Sequence, residues 1–365
     1  MITELRPTEF PWMDPSRYTF SLGVQGGGAL WLAGETGASY GPDGATLPAG
    51  IGDQARVAWD KIQAVLGVAD SDTSACTEIV EYVTTAGLGE LADIARARPG
   101  AAGPGSIMVI ESLVRPEPQV EVEVVAGGPS GQVRLPQILP VDEEGGVVAR
   151  GDLVAQAAYV LDRAGQLLAD HGLDHSHIVR IVQQTTPETR REYRSTEDAR
   201  RRLLGPLFPA STGVLVPALP VDGALVALDV WASEHPKRVI NPGWSAFDDL
   251  TFSPAVRAGD ILYISGTTAW DPDTNTTVAP GEIAAQARFV YEQIEAICQA
   301  AGGSIGDVVK TIEYVAPAGF DGYRSVAGLR RELLDRPFPA ATGVVVSGLL
   351  GRQWLIEVEA VAVLA

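Results

Sequence analysis

Residues 204–216 read Leu-Gly-Pro-Leu-Phe-Pro-Ala-Ser-Thr-Gly-Val-Leu-Val, and residues 334–346 read Leu-Asp-Arg-Pro-Phe-Pro-Ala-Ala-Thr-Gly-Val-Val-Val. These two stretches lie 130 residues apart, and the match continues without a gap through residues 151–229 and 281–359. Internal repetition on this scale determines the architecture before any local pattern does. The chain therefore contains at least two copies of one structural unit.

A second offset, of 232 residues, relates the N-terminal part of the chain to its C-terminal part. It places Ala33-Gly34 on Ser265-Gly266 and Glu81-Tyr82 on Glu313-Tyr314. Together the two offsets predict that the 365 residues contain three copies of a unit of roughly 110–130 residues. Turn-rich junctions between the copies predict three domains, at residues 1–127, 128–235 and 236–365.

Each copy follows the same order of secondary-structure elements, which is clearest in the third. A β-rich apolar run over 260–266 predicts a strand, and apolar residues at helical spacing from Glu282 predict a long helix. A second strand over 308–315, a short helix over 323–334 and two closing strands complete the unit. The pattern indicates an α+β unit with both helices on one face of its sheet. Because the other face needs a partner, we expect an intramolecular pseudo-trimer with sheets inside and helices outside.

Charge and composition narrow the range of partners. The net charge of −19, from 46 acidic and 27 basic residues, would repel a phosphate backbone, so we expect no nucleic-acid partner. The chain lacks an apolar run of about 18 residues and a signal-peptide pattern, so we expect no membrane partner and a cytoplasmic location. Cys76 and Cys298 occupy non-equivalent places and are expected to be free thiols. The run Gly26–Gly28 is typical of a hairpin turn, and we expect neither a metal nor an organic cofactor.

Two stretches of the third copy point to a known family. Residues 252–260 read Phe-Ser-Pro-Ala-Val-Arg-Ala-Gly-Asp, and residues 356–362 read Ile-Glu-Val-Glu-Ala-Val-Ala. Both resemble the opening and closing strands of the YjgF/RidA (L-PSP) family of enamine and imine deaminases. The resemblance extends over nearly the whole chain in three copies, although copy two lacks the opening strands. It implies a chorismate-mutase-like fold and ligand clefts between adjacent units. The fused arrangement also resembles that of chorismatases, but their closing motif is absent.

The Phe-Pro-Ala motif departs from the family pattern at one residue. In the family, an arginine two residues after Phe-Pro clamps the substrate carboxylate. The equivalent positions here are Ser211 and Ala341, with Gly105 in copy one. None of these side chains can donate the two parallel hydrogen bonds of an arginine. We therefore expect a substrate that lacks the usual amino-acid carboxylate.

Three acids occupy one repeat-equivalent position on the closing strand: Glu123, Asp229 and Glu359. The resemblance matches this position to the family's glutamate near the C-terminus, which implies a role in positioning or activating water. On an alternating strand Glu359 shares a face with Glu357. We predict that the three acids act as general acids or bases. The alternatives are solvated edge residues and buried salt-bridge partners.

Three pairs of repeat-equivalent residues are predicted to bind substrate: Tyr82 and Tyr314, Thr212 and Thr342, and Arg194 and Arg324. The tyrosines offer a phenol beside an inter-unit cleft, although such residues also serve in cores. The threonines place a hydroxyl beside the position of the missing arginine, where strand propensity also favours threonine. The arginines of the short helix would bind an acidic substrate or form surface ion pairs.

These residues favour an enzyme that acts on a small molecule at a cleft between units. Its substrate would be an enamine, imine, enol-ether or carbonyl metabolite, and its reaction hydrolysis, deamination or tautomerisation by acid–base chemistry. A non-catalytic small-molecule-binding or regulatory protein and a chorismatase-like lyase or hydrolase remain open as alternatives. We expect three unequal clefts with one specialised, in a monomeric pseudo-trimer or a higher oligomer.

Overall fold

The computed structural model, which describes residues 2–41, 44–100, 102–103 and 105–364, contains three large β-sheets. Each third of the chain supplies most of the strands of one sheet, together with the helices that pack on it. We refer to these parts of the chain, in sequence order, as unit 1, unit 2 and unit 3.

The elements of unit 1 are β1 (Thr3–Leu5), β2 (Gly23–Gly26), β3 (Ala29–Leu32), β4 (Glu35–Thr36), β5 (Ser39–Gly41), β6 (Gly44–Thr46), α1 (Ile51–Leu66), β7 (Cys76–Thr84), α2 (Leu91–Ala97), β8 (Ser106–Ile110), β9 (Ser112–Leu113) and β10 (Val120–Gly127). Those of unit 2 are β11 (Gln132–Arg134), α3 (Leu153–Ala169), β12 (Ile178–Thr185), α4 (Glu197–Leu204), β13 (Ala210–Leu215) and β14 (Val226–Ser233). Those of unit 3 are β15 (Lys237–Ile240), β16 (Ala255–Ala258), β17 (Ile261–Thr268), β18 (Trp270–Asp271), β19 (Thr276–Thr277), α5 (Ile283–Ala300), β20 (Val308–Val315), α6 (Arg324–Leu333), β21 (Ala340–Val345), β22 (Gly348–Leu349) and β23 (Ile356–Val363).

The three sheets share a group of three strands in one register. This group is β10-β7-β8 in unit 1, β14-β12-β13 in unit 2 and β23-β20-β21 in unit 3. In each unit the first pair is antiparallel and the second pair is parallel. The predicted acids lie opposite equivalent residues of the middle strand: Glu123 opposite Val80, Asp229 opposite Val182 and Glu359 opposite Ile312. The sequence repeat is therefore also a repeat of strand order and register.

Neighbouring units exchange short strands. The β9 strand of unit 1 pairs with β21 of unit 3, and β22 of unit 3 pairs with β13 of unit 2. A backbone bridge accompanies each exchange, between Ser21 and Ala340 and between Ser253 and Ala210. An arginine of the short helix also reaches a threonine of the next unit: Arg330 to Thr19 at 3.3 Å and Arg200 to Thr251 at 2.8 Å. Unit 3 thus contacts unit 1 in the same way as unit 2 contacts unit 3.

Each unit has a hydrophobic core between its sheet and its helices, and the three units share a further one. In unit 1, α1 buries Ile51, Trp59 and Ile62 against one face of the sheet, and α3 and α5 bury the equivalent faces in their own units. The opposite faces of all three sheets form one common cluster, which includes Trp31 and Trp231. The predicted α+β class, with the helices on one face of each sheet, is confirmed.

Local differences from the prediction have identifiable causes. The sequence also favours a strand over 133–139 at the start of unit 2. The structure limits it to β11 and one bridge at Ile138, because Pro136 has no amide hydrogen to donate to a ladder. The short helix expected in each copy is present in unit 1 as α2. The predicted glycine turn is confirmed: Gly27 and Gly28, with φ of 61° and 80°, connect β2 to β3 in conformations that favour glycine.

Two further expectations concern the thiols and the helices. Cys76 and Cys298 are both free. Within the described residues, none of the helices is both long and apolar enough to cross a membrane. The predicted domain junctions lie between β10 and β11 and between β14 and β15.

Candidate functional site

A ring of ion pairs lies where the three sheets meet. Glu123 of unit 1 lies 3.0 Å from Nζ of Lys310 in unit 3, and Glu359 of unit 3 pairs with Arg180 of unit 2. Lys310 and Arg180 occupy equivalent positions of β20 and β12. All four residues are at most 7% exposed, so each pair is a buried link between two units.

The third ion pair of this ring is built differently. Unit 1 has Glu78 at the position that Lys310 occupies in unit 3, so this position cannot supply a cation to Asp229. Arg134 of β11 supplies the cation instead, with Nη2 2.8 Å from Oδ1 of Asp229. The same guanidinium also contacts the hydroxyl of Ser106 in unit 1. The strand that opens unit 2 therefore completes the ring.

The cavity at this centre is too small for a substrate. Its volume is about 20 Å³, which is room for about one water molecule. Tyr82 and Tyr314 line the cavity, and Oη of Tyr82 donates to Glu123 over 3.3 Å. The centre thus brings the predicted acids and tyrosines together, but it holds them in a buried network rather than beside a ligand pocket.

Two further acids, which we call the second row, lie two residues before acids of the ring and on the same face of their strands. Glu121 in β10 and Glu357 in β23 are 6% and 4% exposed. Each carboxyl lies directly against a glycine at an equivalent position, Gly34 or Gly266, where a Cβ atom would overlap it. Because both glycines are partly exposed, these acids lie just beneath the surface where two units meet.

Glu357 lies where β13 of unit 2 meets β17 and β23 of unit 3, a contact that we call cleft 2/3. The backbone N–H of Gly213 donates to its carboxyl. Next to this amide, Oγ1 of Thr212 accepts a hydrogen bond from the N–H of Gly266 at 3.0 Å. Within the described ranges, no cation forms an ion pair with Glu357. Burial raises the pKa of Glu357 to about 8, so its carboxyl is mostly protonated at neutral pH.

Glu121 lies at the equivalent contact between β21 of unit 3 and unit 1, which we call cleft 3/1. Burial raises the pKa of Glu121 to about 8, and the charges of Glu123 and Glu35 act in the same direction. Nζ of Lys61 lies 3.6 Å from Glu35 and donates to two backbone carbonyls at 2.7 Å. Unit 3 has the neutral Gln293 in place of this lysine. Cleft 3/1 is therefore surrounded by more charged groups than cleft 2/3.

The two clefts also differ at the position of the missing arginine. In cleft 2/3 the N–H of Ser211 donates to Oγ of Ser265 at 2.8 Å. The equivalent residues in cleft 3/1 are Ala341 and Ala33, which have no hydroxyl. Cleft 2/3 therefore offers polar side chains where cleft 3/1 offers methyl groups.

The third contact, between β8 of unit 1 and unit 2, has no acid of the second row. Ala227 stands at the position of Glu357. Gln137 occupies this contact and hydrogen-bonds both the N–H and the C=O of Ile107, at 3.2 and 2.9 Å. The three inter-unit contacts thus have three different linings.

The remaining predicted binding residues fall in different places. Thr212 lies in cleft 2/3, whereas Thr342 accepts a hydrogen bond from Lys310 at 3.0 Å and so belongs to the central ring. Arg194 and Arg324 are exposed at the short helical segments, and among the described residues neither bonds to an acid of the ring or the clefts. Their role in substrate binding stays a prediction. The described residues contain no group of three or more His, Cys, Asp or Glu side chains that could hold a metal.

The chain is similar to known proteins in both sequence and structure. The family model described as endoribonuclease L-PSP matches residues 248–364. A RutC family protein of Pyrococcus horikoshii is 37% identical over 111 residues, which are 30% of this chain and 85% of that protein. A 2-iminobutanoate/2-iminopropanoate deaminase of Dermatophagoides farinae is 28% identical over 129 residues, which are 35% of this chain and 98% of that protein. A chorismatase crystal structure is similar with a TM-score of 0.55 and 15% identity, over 79% of this chain and 93% of that chain, which shows a likeness of fold.

Proposed function

This chain belongs to the YjgF/RidA (L-PSP) family, and we propose that it is an enzyme that hydrolyses or tautomerises a small imine, enamine or carbonyl metabolite in cleft 2/3. The observation that carries this proposal is the buried carboxyl of Glu357, which has an amide donor but no cationic partner among the described residues. A carboxyl that is neutral at pH 7 can donate a proton and then take one back. The similarity to an imine deaminase supports an imine as the first substrate class to test.

In the proposed hydrolysis, Glu357 donates its proton to the imine nitrogen while the oxygen of a water molecule adds to the imine carbon. The carboxylate then accepts a proton from the added water, which leaves a neutral carbinolamine. A second transfer from Glu357 to the amine nitrogen breaks the C–N bond, and the hydroxyl proton returns to the carboxylate. The products are a carbonyl compound and ammonia, and Glu357 is regenerated. The N–H of Gly213 would stabilise the carboxylate form during each transfer.

We place the reaction in cleft 2/3 rather than in cleft 3/1 because of the charges around the two acids. Glu121 is surrounded by Glu123, Glu35, Lys61 and Lys310, which tie it to the charge balance of the central ring. Among the described residues, no charged group contributes to the pKa shift of Glu357, so its protonation is not tied to the ion-pair ring. The central acids of the ion-pair ring are then positioning groups that hold the units together.

We also propose that the chain is a covalent pseudo-trimer, with one domain at each of residues 1–127, 128–235 and 236–365. The shared central cluster and the repeated contacts of unit 2 with unit 3 and of unit 3 with unit 1 support this arrangement. A fused chain allows the three clefts to have different side chains, which three identical subunits cannot have.

The test is turnover of small imines and enamines generated in situ, both without a carboxylate and with one (2-iminobutanoate and 2-iminopropanoate), followed through ammonia release. We expect Glu357→Gln to lower kcat by about a hundredfold or more, as loss of a general acid does. Glu121→Gln is the matched control, because it removes the same group at the equivalent position of cleft 3/1. Full turnover by Glu357→Gln would refute the proposed role, and loss only in Glu121→Gln would move the site to cleft 3/1.

A further inference from the structure

A groove in unit 1 has the size of a small-molecule site. It is lined by the connection that follows β1 and by the end of β5, and its volume is about 640 Å³. Sites for small molecules commonly have volumes of about 300–1,000 Å³ and mostly apolar walls with a few polar groups. The groove has such walls, and their apolar residues are Pro7, Phe10, Pro11, Met13, Pro15 and Tyr40.

The groove depends on a connection that is longer in unit 1 than in unit 3. The register of β1 and β15 with their neighbouring strands makes Leu5 equivalent to Ile240. The next matched position is a tryptophan in both units, Trp12 and Trp244. Six residues lead to this tryptophan in unit 1, whereas three lead to it in unit 3. Five of the six line the groove, so the longer connection builds much of its wall.

Unit 3 has aromatic rings at the equivalent place. The residue equivalent to Pro15 is Phe247. The centroid of its ring lies 5.9 Å from that of Trp244 and 5.6 Å from that of Trp270. Unit 1 has Ala38 at the position of Trp270. The smaller side chains of unit 1 therefore leave room for a ligand where unit 3 packs its own rings.

Contacts within the protein fix the walls of the groove. The guanidinium of Arg115 lies over the Tyr40 ring, 3.9 Å from its centroid, and the N–H of Tyr40 donates to the C=O of Trp12. One carboxylate oxygen of Asp14 accepts hydrogen bonds from the N–H and the hydroxyl of Ser16, at 3.0 and 2.6 Å. A site that is already formed loses less conformational entropy when a ligand binds.

The charges of the groove favour an anionic ligand. The charged residues of its described lining are Arg6, Asp14 and Arg17. Both arginine side chains are exposed, and within the described ranges neither guanidinium has an ion pair or a hydrogen bond. The described lining thus has a net charge of +1, in a chain whose net charge is −19. A guanidinium can donate two parallel hydrogen bonds to a carboxylate, so a single carboxylate matches this lining.

We propose that this groove binds a small molecule that has an aromatic body and one carboxylate. Arg6 and Arg17 bind the carboxylate, and the ring of the ligand packs against the prolines and the rings of Phe10 and Tyr40. The proposal does not depend on the function of cleft 2/3, because unit 1 alone supplies the lining of the groove.

Isothermal titration of the full chain with phenylacetate tests this proposal. Phenylacetamide, which lacks the charge, and inorganic phosphate, which lacks the ring, should each bind about tenfold more weakly or worse. Arg6→Gln and Arg17→Gln should each weaken phenylacetate binding by about tenfold or more, as loss of a charged hydrogen bond does. Arg96→Gln is the control, because it removes the same charge from a side chain that is 71% exposed on α2, and it should bind like the parent protein.

The apolar wall is tested with Phe10→Ala, which should weaken phenylacetate binding by about tenfold. Val68→Ala, which shortens a side chain that is 41% exposed after α1, is its control. Far-UV circular dichroism establishes that each variant is folded. The proposal is overturned if phenylacetate does not bind, or if phenylacetamide or phosphate binds as tightly. It is also overturned if the two arginine variants, or Phe10→Ala, bind phenylacetate as tightly as the parent does.

Discussion

Lys310 of the central ring is expected to be important for the stability of the fold. Its ammonium group is 3.0 Å from Glu123, and it donates to the carbonyl of Leu32 at 2.6 Å and to Thr342 at 3.0 Å. The side chains of Lys310 and Glu123 are 4% and 7% exposed. Replacing the lysine with methionine keeps most of its volume but leaves the carboxylate of Glu123 buried. Among the described residues, only the phenol of Tyr82 then remains as a donor to it. Removing one partner of a buried ion pair typically costs about 3–5 kcal/mol.

We therefore expect Lys310→Met to lower the free energy of unfolding by about 3–5 kcal/mol, measured by urea denaturation with tryptophan fluorescence and far-UV circular dichroism. Adding Glu123→Gln to this variant should recover a large part of the loss, because it removes the unpaired charge. Arg56→Met is the control, since it breaks an ion pair whose side chains are 63% and 56% exposed and should have a much smaller effect. The reasoning is refuted if Lys310→Met behaves like Arg56→Met, or if the double variant is less stable than Lys310→Met.

Three other predictions concern the second row of acids and its surroundings. Gly266→Ala places a methyl group on the carboxyl of Glu357, in a backbone conformation that alanine can adopt. Turnover should therefore fall at least about tenfold in this variant, whereas Gly34→Ala, at the equivalent position of cleft 3/1, should leave turnover unchanged. The folded-state pKa of Glu357 is about 8, against an ordinary value of 4.5, so its folded form keeps a proton that the unfolded chain releases. The midpoint of urea denaturation should therefore fall as the pH rises from 5 to 8, and Glu357→Gln should make this slope shallower; an unchanged slope would contradict the shift. Thr212→Val leaves the N–H of Gly266 without its acceptor and should cost about 1–3 kcal/mol of stability in the same assay, with Thr212→Ser as the variant that retains it.

The repeat made the fold predictable, since it identified equivalent strands in three units. The strand over 308–315 was expected and is present with those bounds as β20, and the 130-residue offset places its equivalent at 178–185, which is β12. The helices were expected within a few residues of their observed bounds. The exchange of β9 and β22 was not predictable, because each of these strands has two residues and no pattern of its own.

The candidate site was harder to predict than the fold, because a residue can recur in every copy for its structural contacts and not for its chemistry. Glu123, Asp229 and Glu359 were predicted as catalytic because all three copies keep an acid there, but the structure places Glu123 and Glu359 in ion pairs between units. Asp229 pairs with Arg134 of its own unit and contacts Ser106 of unit 1. An acid that holds the buried polar network at the centre recurs in every copy for structural reasons. The chemically distinctive acids, Glu121 and Glu357, recur in only two copies. In the sequence, each of them stands two residues before an acid of the ring, in a unit that also has the equivalent glycine, Gly34 or Gly266.

The cation that pairs with Asp229 could not be predicted from the repeat. Arginine and lysine at positions 180 and 310 predict a cation at position 78, but the sequence has Glu78 there. The compensating Arg134 comes from β11, the short strand with which unit 2 begins in place of the opening strands. Only the three-dimensional arrangement brings it to Asp229.

The lack of opening strands in unit 2 changes its contact with unit 1. Cleft 2/3 and cleft 3/1 each need a glycine from an opening strand to make room for the acid beneath it. Unit 2 has no such strand, so its contact with unit 1 has no space for a buried acid, and Ala227 is there instead. Instead, Arg134 of β11 contacts Ser106 of unit 1 while it pairs with Asp229, and Gln137, which follows β11, makes two hydrogen bonds with the backbone of Ile107. This contact is therefore filled by structural interactions, whereas each of the other two contacts has a glutamate beneath a glycine.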